Sequence, residues 1–548
     1  MKKKIKRYIS TLKYLRVSQA VNRVLNKFKS KERGSAESMP VKFRNVNIMI
    51  PAVDIDEGFC RRYNIDELIN GEISILNKKF KIDYSSNSRK VMAPLYRFNL
   101  YYFEYAVVLG AEYSKTKNVE ILNVFKRLYE DYLKEKPALH PYVISLHLPN
   151  ILIAMEFFGN ALDEDFRNKV YTELFIQYKY LLSHFEKHLL ANHYFENLKA
   201  AVIASYFFGD DKVCRKSVKL LHSQVKEQIL PDGVHFELSP MYHKIILEDL
   251  LRIAKLSQSE GFPECDWIKP VIQNMLDAMA SMEKGFSRTP LFNDSGNNVA
   301  KSAQSIEIAC KDVLGIFPRY KEELVSSGYY KFYNGKIAMM FDAGKIGPDY
   351  NPGHGHCDCL SFEVCVDGKP LFVNSGTYEY QGDMRKYFRS TRAHNTLTVG
   401  SREQSECWGE HRVGNRIKNI KVTKKGSCID SEYKNCFGDK HMRTVLLENG
   451  ILTVEDLVVS PLNETVHSYL HLADGYTCKA DKESITVYEN TGTEVCKIFC
   501  TDCKSEIHTS GELCSYAPDF GVLKNSECVE FTWKNDDKKH GYKINFTE

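Results

Sequence analysis

The sequence predicts a two-domain protein in which an all-helical domain precedes an antiparallel β-sandwich. The chain has 548 residues, more than one hydrophobic core usually serves. From about Tyr96 to Ser327 apolar residues recur every three or four positions, whereas after about Tyr329 they alternate with polar ones. Helices followed by strands are typical of separate layers and not of a parallel α/β sheet. The expected parts are a basic lead-in over residues 1–80, a helical domain over 81–327 and a sandwich over 328–548.

The helical half carries the pattern of a series of helical hairpins. Ile151, Leu152 and Met155 are spaced so that they lie on one face of a helix. Helix breakers divide this half into pieces of helix length, among them Pro141, Gly209, Pro231-Asp232-Gly233, Gly261 and Pro290. Helical hairpins that follow one another along the chain tend to close into a bundle or a toroid.

The sandwich half begins with a predicted hairpin. Two alternating segments, residues 360–366 and 369–373, flank the turn pair Asp367-Gly368. The alternation continues to the C-terminus, for example in Ile451–Val459, and few segments are long enough for a helix. Short strands joined by turns predict an antiparallel sandwich.

The first 34 residues differ in charge from the rest of the chain. They hold twelve Lys or Arg and one acidic residue, Glu32, while the whole chain has a net charge of +5, so the remainder is mildly acidic. A mildly acidic body argues against nucleic-acid binding. The apolar residues of the segment are spaced as on one face of a basic helix: Ile5, Tyr8, Ile9, Leu12, Leu15, Val21, Val24, Leu25 and Phe28. Such a helix either docks on the protein's own body or lies on an anionic membrane surface.

The sequence predicts a cytoplasmic location. No uninterrupted apolar segment follows Met1, as a cleaved secretory signal would require. No apolar run approaches the ~18 residues needed to span a bilayer. The sixteen Cys show no compact disulfide spacing, which is typical of reduced thiols in the cytoplasm. Peripheral association with the inner face of the membrane through residues 1–34 is the alternative left open.

A histidine-rich segment of the predicted sandwich is the first candidate site. In Gly353-His-Gly-His-Cys-Asp, the side chains of His354 and His356 point to the same face if the segment is extended. Two imidazoles on one face can share a metal ion, or one can bind metal while the other transfers protons. His394 lies on a later predicted strand and could supply a further ligand. Hydrogen-bonded surface histidines are the alternative.

Two polar segments of the helical half are further candidates, and each begins a predicted helix. In Ala191-Asn-His-Tyr-Phe-Glu, Asn192 and Glu196 lie one turn apart with His193 beside them. Tyr242 follows a proline that marks another helix start. A capping Asn and a packed Tyr ring are the alternatives to a catalytic role.

Taken together, these segments resemble the heparinase II/III-like polysaccharide lyases, which include alginate and oligoalginate lyases. The resemblance covers most of the chain from about Tyr96 onward. The motifs that carry it are Tyr96-Arg-Phe-Asn99, Asn192-His-Tyr-Phe-Glu196, His235-Phe-Glu-Leu-Ser-Pro-Met-Tyr242-His243, Phe292-Asn-Asp-Ser295, Gly353-His-Gly-His-Cys-Asp358, Asn374-Ser-Gly-Thr377 and Arg392-Ala-His-Asn395. The resemblance implies an α/α toroid, an incomplete barrel of helical hairpins, joined to an antiparallel β-sandwich.

The resemblance also implies β-elimination on a uronate-containing acidic glycan. A uronate C5 proton becomes removable only if the adjacent carboxylate is neutralised. Asn192 and His193 match the family positions that do this. A base must take the C5 proton while an acid protonates the leaving glycosidic oxygen. Tyr242 and His354 match the positions that share these tasks.

Charged residues near these motifs are candidates for binding or orienting the substrate. Glu196 resembles the residue that orients the neutralising side chains. Arg97, Arg389 and Arg392 are candidates for binding substrate carboxylates or sulfates. Salt bridges within the fold are the alternative for all three arginines.

Family members with a metal site bind zinc through positions that correspond to His356, Asn374 and His394. Asn374 departs from that pattern, because a neutral amide stands where an anionic carboxylate is expected. Either the metal is weak or absent, or Asp358 or Cys357 replaces the carboxylate. Any zinc is expected to be structural, because the elimination needs no metal-bound water. No organic cofactor is expected.

Two other functions are left open by the sequence. An inverting glycoside hydrolase would need two carboxylates about one water apart across the sugar, with Glu237 and Asp294 as the candidates. A catalytically silent protein that binds or assembles an acidic glycan fits the missing export signal. Tyr242 and His354 favour catalysis, in the metabolism of a capsule or surface polysaccharide. Large sandwich faces favour a homodimer.

Overall fold

The computed structural model describes residues 2–547, except for the side chains of residues 2–4 and 89. Met1, Glu548 and the side chains of Lys2, Lys3 and Lys4, which belong to the predicted end segments, lie outside the described part. The chain forms a helical half followed by an antiparallel β half, so the predicted fold class is confirmed. The domain limits near residues 80 and 327 stay predictions.

Helices fill most of the first half of the chain, and several begin at a recognisable cap. Asp163, Asp210 and Ser239 each accept a hydrogen bond from a backbone N–H in the first turn. The helices are α1 Lys2–Leu12, α2 Val17–Asn26, α3 Pro51–Asp54, α4 Glu57–Arg61, α5 Ile65–Ile69, α6 Ser88–Val91, α7 Pro94–Tyr102, α8 Glu104–Thr116, α9 Val119–Glu135, α10 Pro141–Phe158, α11 Glu164–Ser183, α12 Ala191–Phe207, α13 Asp211–Gln228, α14 Pro240–Leu256, α15 Ile268–Glu283, α16 Ala303–Leu314 and α17 Met384–Phe388.

The core of the helical half surrounds α12, whose side chains are nearly all buried. This helix packs against α10, α13 and α14. By length and composition, Pro141–Ala161 could cross a membrane, which corrects the expectation that no apolar segment is long enough. In the structure, 67% of its most apolar window is buried inside the fold. The segment therefore packs as a core helix of this half.

The β half is built from antiparallel sheets, as predicted. The strands are β1 Glu72–Ile75, β2 Lys78–Lys81, β3 Glu323–Leu324, β4 Tyr329–Tyr333, β5 Ile337–Asp342, β6 Phe362–Val366, β7 Lys369–Phe372, β8 Leu397–Val399, β9 Cys407–Trp408, β10 Arg412–Val413, β11 Lys418–Lys425, β12 Cys428–Lys434, β13 Lys440–Glu448, β14 Ile451–Val459, β15 Thr465–His471, β16 Tyr476–Ala480, β17 Ile485–Glu489, β18 Glu494–Thr501, β19 Lys504–His508, β20 Ser515–Asp519, β21 Val522–Asn525, β22 Cys528–Lys534 and β23 Lys539–Phe546.

Three sheets form the sandwich. The largest has the order β11-β12-β13-β14-β23-β18-β17-β16, and the others have the orders β3-β4-β5-β6-β7 and β19-β22-β15-β8. The predicted hairpin is β6 and β7, and both Asp367 and Gly368 in its turn have positive φ. That geometry explains why an Asp-Gly pair stands there.

A buried ion pair ties the largest sheet to the histidine-rich segments. Arg443 on β13 binds Asp456 on β14 through Nε–Oδ1 at 2.7 Å and Nη2–Oδ2 at 2.9 Å. Its remaining nitrogen donates to the carbonyl oxygens of Leu360 and Asn395. Burial opposes ionisation of Asp456, but Arg443 and His441 hold its pKa below the ordinary value. The pair thus anchors two loops that lead to the candidate site.

We expect Asp456→Asn to lower the free energy of unfolding by about 3–5 kcal/mol, because Arg443 would remain as a buried charge without its carboxylate. Since the folded-state pKa of Asp456 is depressed, its contribution is present above the unfolded-state pKa and is lost as pH falls towards the folded-state pKa. Urea unfolding at neutral and acidic pH measures both effects. Asp474→Asn, which breaks an exposed ion pair with Lys524, is the control and should change little. Equal losses in the two variants would contradict the prediction.

Candidate active site

A cavity of about 360 Å³ opens between the helical half and the β half. Asn192, His193 and Tyr242 line its helical wall, and His354 and Tyr380 line its β wall. Aromatic rings contribute much of the remaining surface, among them Phe59, Phe98, Tyr102, Tyr142 and Phe520. A largely apolar cavity with a few convergent polar groups is typical of a ligand site. The four predicted catalytic residues therefore share one cavity.

Tyr242 and His354 face each other in this cavity, with their ring centroids 4.2 Å apart. Tyr242 stands in the first turn of α14, where Ser239 caps the helix and Pro240 occupies the first turn. The Tyr242 hydroxyl is hydrogen-bonded to that of Tyr380 at 2.8 Å. Burial raises the pKa of Tyr242 above its ordinary value, so the phenol stays protonated.

Asp294 fixes the orientation of His354. Its Oδ2 accepts a hydrogen bond from His354 Nδ1 at 2.9 Å, and its Oδ1 accepts one from His356 Nε2 at 2.8 Å. Arg385 forms a bidentate ion pair with the same carboxylate. Burial would raise the pKa of Asp294, but Arg385 and the two histidines lower it well below its ordinary value. The ionised carboxylate therefore holds the proton of His354 on Nδ1 and leaves Nε2 as an acceptor.

Asn192 and His193 begin α12 and face the same cavity. The backbone N–H of Asn192 donates to Glu237 at 3.2 Å, and its side-chain oxygen has no partner among the described residues. His193 Nδ1 lies 3.2 Å from Glu186, and its ring packs 4.4 Å from that of Tyr142. Burial opposes protonation of His193, but Glu186 raises its pKa above the ordinary value. An amide and a cationic imidazole side by side can bind one carboxylate.

Glu196 is engaged by a lysine one turn further along α12. Lys199 Nζ donates to Glu196 at 2.5 Å and to Asp249 at 2.8 Å, and all three side chains are buried in the cavity wall. This ion pair occupies the Glu196 carboxylate, which also helps to raise the pKa of His193, so its role in orienting the neutralising pair stays a prediction. Glu186 and Glu237 are the carboxylates hydrogen-bonded directly to the ring of His193 and to the backbone N–H of Asn192.

The three predicted substrate-binding arginines lie outside the cavity lining. Arg389 is 1% exposed and donates to the carbonyl oxygens of Gly355 and Glu410, both at 3.0 Å. These contacts hold it against the histidine segment, outside the cavity lining, and its role in substrate binding stays a prediction. Gly355 itself must lack a side chain, because a Cβ there would collide with the carbonyl of Ile346.

Arg392 and Arg97 are likewise engaged elsewhere. Arg392 forms a surface ion pair with Glu512. Arg97 is half-buried on α7 and donates to the carbonyl oxygen of Met92 at 3.3 Å. Both thus make contacts within the fold, the alternative left open by the sequence, and their role in substrate binding stays a prediction.

The predicted metal position is a buried cluster of His356, Asp358 and His394, whose potential ligand atoms lie within 4.8 Å of one another. His356 Nδ1 and His394 Nε2 have no hydrogen-bond partner among the described residues. Their other ring nitrogens are bonded to oxygens of Asp294 and Asn374, at 2.8 and 3.0 Å. Two available imidazole nitrogens beside a carboxylate suit zinc, and oxygen partners on the opposite nitrogens are usual for its histidine ligands. The residues fit a metal ion, with Asn374 behind His394 and not among the ligands.

Glu237 and Asp294 are the candidate carboxylates of a hydrolase. They lie on either side of the His354 ring, so no space for a sugar separates them. Glu237 Oε2 lies 3.9 Å from His354 Nε2, and Asp294 Oδ2 lies 2.9 Å from Nδ1. Both carboxylates are at most 1% exposed. Inverting hydrolysis needs one carboxyl to activate a water on the open face of the sugar, and this arrangement argues against it.

Sequence reasoning missed Glu186, Tyr380 and Arg385. Glu186 lies seven residues before its partner His193, outside any helix, where no periodic pattern singles it out. Tyr380 and Arg385 lie between two of the recognised motifs, so their position along the chain was the available signal.

Comparison with protein families gives two matches that together span most of the chain. The family model "Heparinase II/III N-terminus" matches residues 7–324, and "Heparinase II/III-like, C-terminal" matches residues 318–538. A curated heparin-sulfate lyase of Pedobacter heparinus is 25% identical over 285 residues, which are 46% of this chain and 41% of that protein. A heparin-sulfate lyase of Bacteroides stercoris is 24% identical over 334 residues, 54% of this chain and 48% of that protein. The chain thus aligns with less than half the length of these curated relatives.

A solved structure of heparinase III resembles the chain over nearly its whole length. The TM-score is 0.70 at 16% identity, covering 96% of this chain and 89% of that chain. At this identity the likeness shows the fold. It confirms the predicted α/α toroid joined to an antiparallel β-sandwich.

We expect Glu186→Gln to lower the pKa of His193, because the amide keeps an acceptor oxygen but loses the charge that raises the pKa. A raised folded-state pKa means that the pair stabilises the fold at pH below the unfolded-state pKa of His193. That stabilisation is lost as pH rises through the folded-state pKa. NMR titration of labelled histidine rings, assigned with His193→Gln, measures the shift. The control Glu512→Gln removes a surface carboxylate, and an equal titration in all variants would contradict the prediction.

Proposed function

Because the chain belongs to the heparinase II/III-like family, we propose that it is a polysaccharide lyase that cleaves a uronate-containing acidic glycan by β-elimination. The observation that carries the proposal is the meeting of Tyr242, His354 and the Asn192-His193 pair in one cavity. Each of these side chains supplies a group that the elimination needs. The enzyme class is a carbon–oxygen lyase acting on polysaccharides.

The first requirement is a neutralised substrate carboxylate. His193 is paired with Glu186 through Nδ1, so its Nε2–H is left for the substrate. Asn192 stands beside it on the same turn and supplies an amide donor. Together they would stabilise the charge that moves onto the carboxylate when the C5 proton leaves. Removing one such donor typically costs about 10²–10³-fold in kcat.

The second requirement is a proton acceptor and a proton donor near the scissile bond. His354 Nε2 takes the C5 proton, and the C–H electron pair forms the C4–C5 double bond. The C4–oxygen bond then breaks, and the neutral phenol of Tyr242 gives its proton to the leaving glycosidic oxygen. What supports this assignment is the ionised Asp294 hydrogen-bonded to His354 Nδ1, together with the raised pKa of Tyr242.

The proposed substrate class follows from the relatives. The curated relatives are heparin-sulfate lyases. Sulfated and unsulfated glycosaminoglycans are therefore the first substrates that we propose. A role in capsule or surface polysaccharide metabolism, a cytoplasmic location, peripheral membrane association through residues 1–34 and a homodimer belong to the same proposal. The second candidate function, a silent glycan-binding protein, would use the same cavity without proton transfer.

The metal part of the proposal assigns a structural Zn²⁺ to His356, Asp358 and His394. The ion would cross-link the histidine segment to the segment before β8 and supply no chemistry to the elimination. What supports this is the pair of buried imidazole nitrogens without partners next to a carboxylate.

On a panel of heparan sulfate, chondroitin sulfate, hyaluronan and alginate, we expect the protein to generate the ultraviolet absorbance of an unsaturated uronate. Tyr242→Phe should lower kcat by about 10²–10⁴-fold, because it removes the proton donor. Tyr380→Phe is the matched control: it removes the neighbouring hydroxyl and leaves the donor in place, so its loss should be much smaller.

Other results would assign another function. New reducing ends without the absorbance would establish hydrolysis. Glycan binding without either signal would establish the silent binding protein. Full activity in Tyr242→Phe would remove Tyr242 from the reaction.

We expect the purified protein to bind about one Zn²⁺ per chain, held by two imidazoles and a carboxylate. Asp358→Asn should lower the zinc content and the protection of Tm by zinc. Asn374→Asp should leave the content unchanged or raise it. Elemental analysis and the visible spectrum of the Co²⁺-loaded protein measure binding without reference to activity. Equal zinc content in wild type and Asp358→Asn would contradict the assignment of Asp358.

A further inference from the structure

The first two helices present their apolar residues to the outside. On α1, Ile5, Ile9 and Leu12 are 50%, 61% and 60% exposed. On α2 and just beyond it, Val17, Val21, Val24, Leu25 and Phe28 are between 50% and 82% exposed. These positions recur every three or four residues, so each set forms one continuous stripe on its helix.

The opposite faces of these helices are polar, and they make the contacts with the body. Arg7 Nε donates to Glu406 at 2.8 Å, and Thr11 accepts from the indole of Trp408 at 3.0 Å. These contacts fix α1 to the β half. The orientation is the reverse of that in an ordinary surface helix, whose apolar stripe faces the core.

The second helix repeats this arrangement on the helical half. Gln19 is buried and donates to the carbonyl oxygen of Leu189 at 3.4 Å. Asn26 is hydrogen-bonded to His188 at 2.8 Å. α1 and α2 therefore straddle both halves with their polar sides inward and their apolar stripes outward. A contiguous exposed apolar patch marks an interaction site.

The charge around the stripes decides what the patch contacts. Residues 5–31 contain no Asp or Glu, and Lys6, Lys13, Lys27 and Lys31 are exposed. A second copy of the chain would bring the same cations face to face, which disfavours pairing through this surface. Lysines beside an apolar helix stripe are the pattern of a helix that lies in the interface of an anionic bilayer.

Deepening the peripheral membrane association of residues 1–34 in the proposed function, on which this inference rests, we propose that α1 and α2 form one docking surface for anionic phospholipids, with the apolar stripes in the acyl boundary and the lysines at the headgroups. Because the two helices contact both halves of the molecule, docking would set the position of the cavity relative to the bilayer. His188 and Leu189, which contact α2, lie shortly before Asn192 in the chain. The surface is therefore close to the segment that leads into the proposed site.

Flotation of the full chain with lipid vesicles tests the proposal. We expect binding to vesicles of phosphatidylcholine mixed with an equal share of phosphatidylglycerol, and little binding to phosphatidylcholine alone. The triple variant Ile9→Ser, Val24→Ser, Phe28→Ser should bind at least about tenfold more weakly, because it removes buried apolar area. Lys13→Gln, Lys27→Gln and Lys31→Gln should each weaken binding about fivefold and reduce its salt dependence.

Val41→Ser is the matched control, because Val41 is 95% exposed and lies outside both helices. It should bind like the wild type. All variants should keep wild-type activity on soluble glycans, so that failure of this proposal is separate from failure of the proposed lyase function. Binding to neither vesicle, or unchanged binding by the triple variant, would overturn the proposal. A dimer in analytical ultracentrifugation that the triple variant abolishes would assign the surface to a second copy instead.

Discussion

The candidate site depends on one buried carboxylate, Asp294, at the contact between the helical and β halves. Asp294 is 0% exposed and is bonded to Arg385, His354 and His356 of the β half. Its backbone carbonyl accepts a hydrogen bond from Ser239, the residue that caps α14. A charge buried without its partners costs several kcal/mol, so this carboxylate strongly favours one arrangement of the two halves. His354, Tyr242 and the cluster of His356, Asp358 and His394 are all positioned by that arrangement.

Three segments of the candidate site are entered through a non-glycine residue with positive φ. Ala191 precedes Asn192, Leu238 precedes the cap of α14, and Asn293 precedes Asp294, with φ of 51°, 57° and 54°. Such conformations cost about 1–3 kcal/mol each and persist only where the surroundings enforce them. Asn293 shows how: its side chain donates to the carbonyl of Leu238 at 2.8 Å, so two strained positions hold each other. The strained backbone at these positions thus lowers the stability of the fold but fixes the orientation of the side chains that follow.

The fold class could be predicted from the sequence, because the spacing of apolar residues is a local property. The order of the motifs likewise predicted Asn192, His193, Tyr242 and His354, which the structure brings together in one cavity. The contacts of the arginines could not be predicted from the local sequence. Arg389 and Arg392 carry the charge that a sulfate or carboxylate would need, but whether a guanidinium is free depends on partners such as the Gly355 carbonyl and Glu512, which lie far away in sequence. Glu237 and Asp294 were recognised as carboxylates, yet their roles depend on a contact with His354 across many residues.

The part of the chain after residue 34 is mildly acidic, and the pairing of charges in the cavity wall bears on how the proposed acidic glycan would be accommodated. Glu196 and Asp249 share Lys199, and Asp54 and Glu248 share Arg252. Burial and the neighbouring Glu196 raise the pKa of Asp249 above its ordinary value. His193 keeps a raised pKa and one ring nitrogen directed away from Glu186. The carboxylates of the cavity wall are thus engaged by buried cations, and the carboxylate of the proposed substrate would be accommodated beside Asn192 and His193, where the elimination requires it.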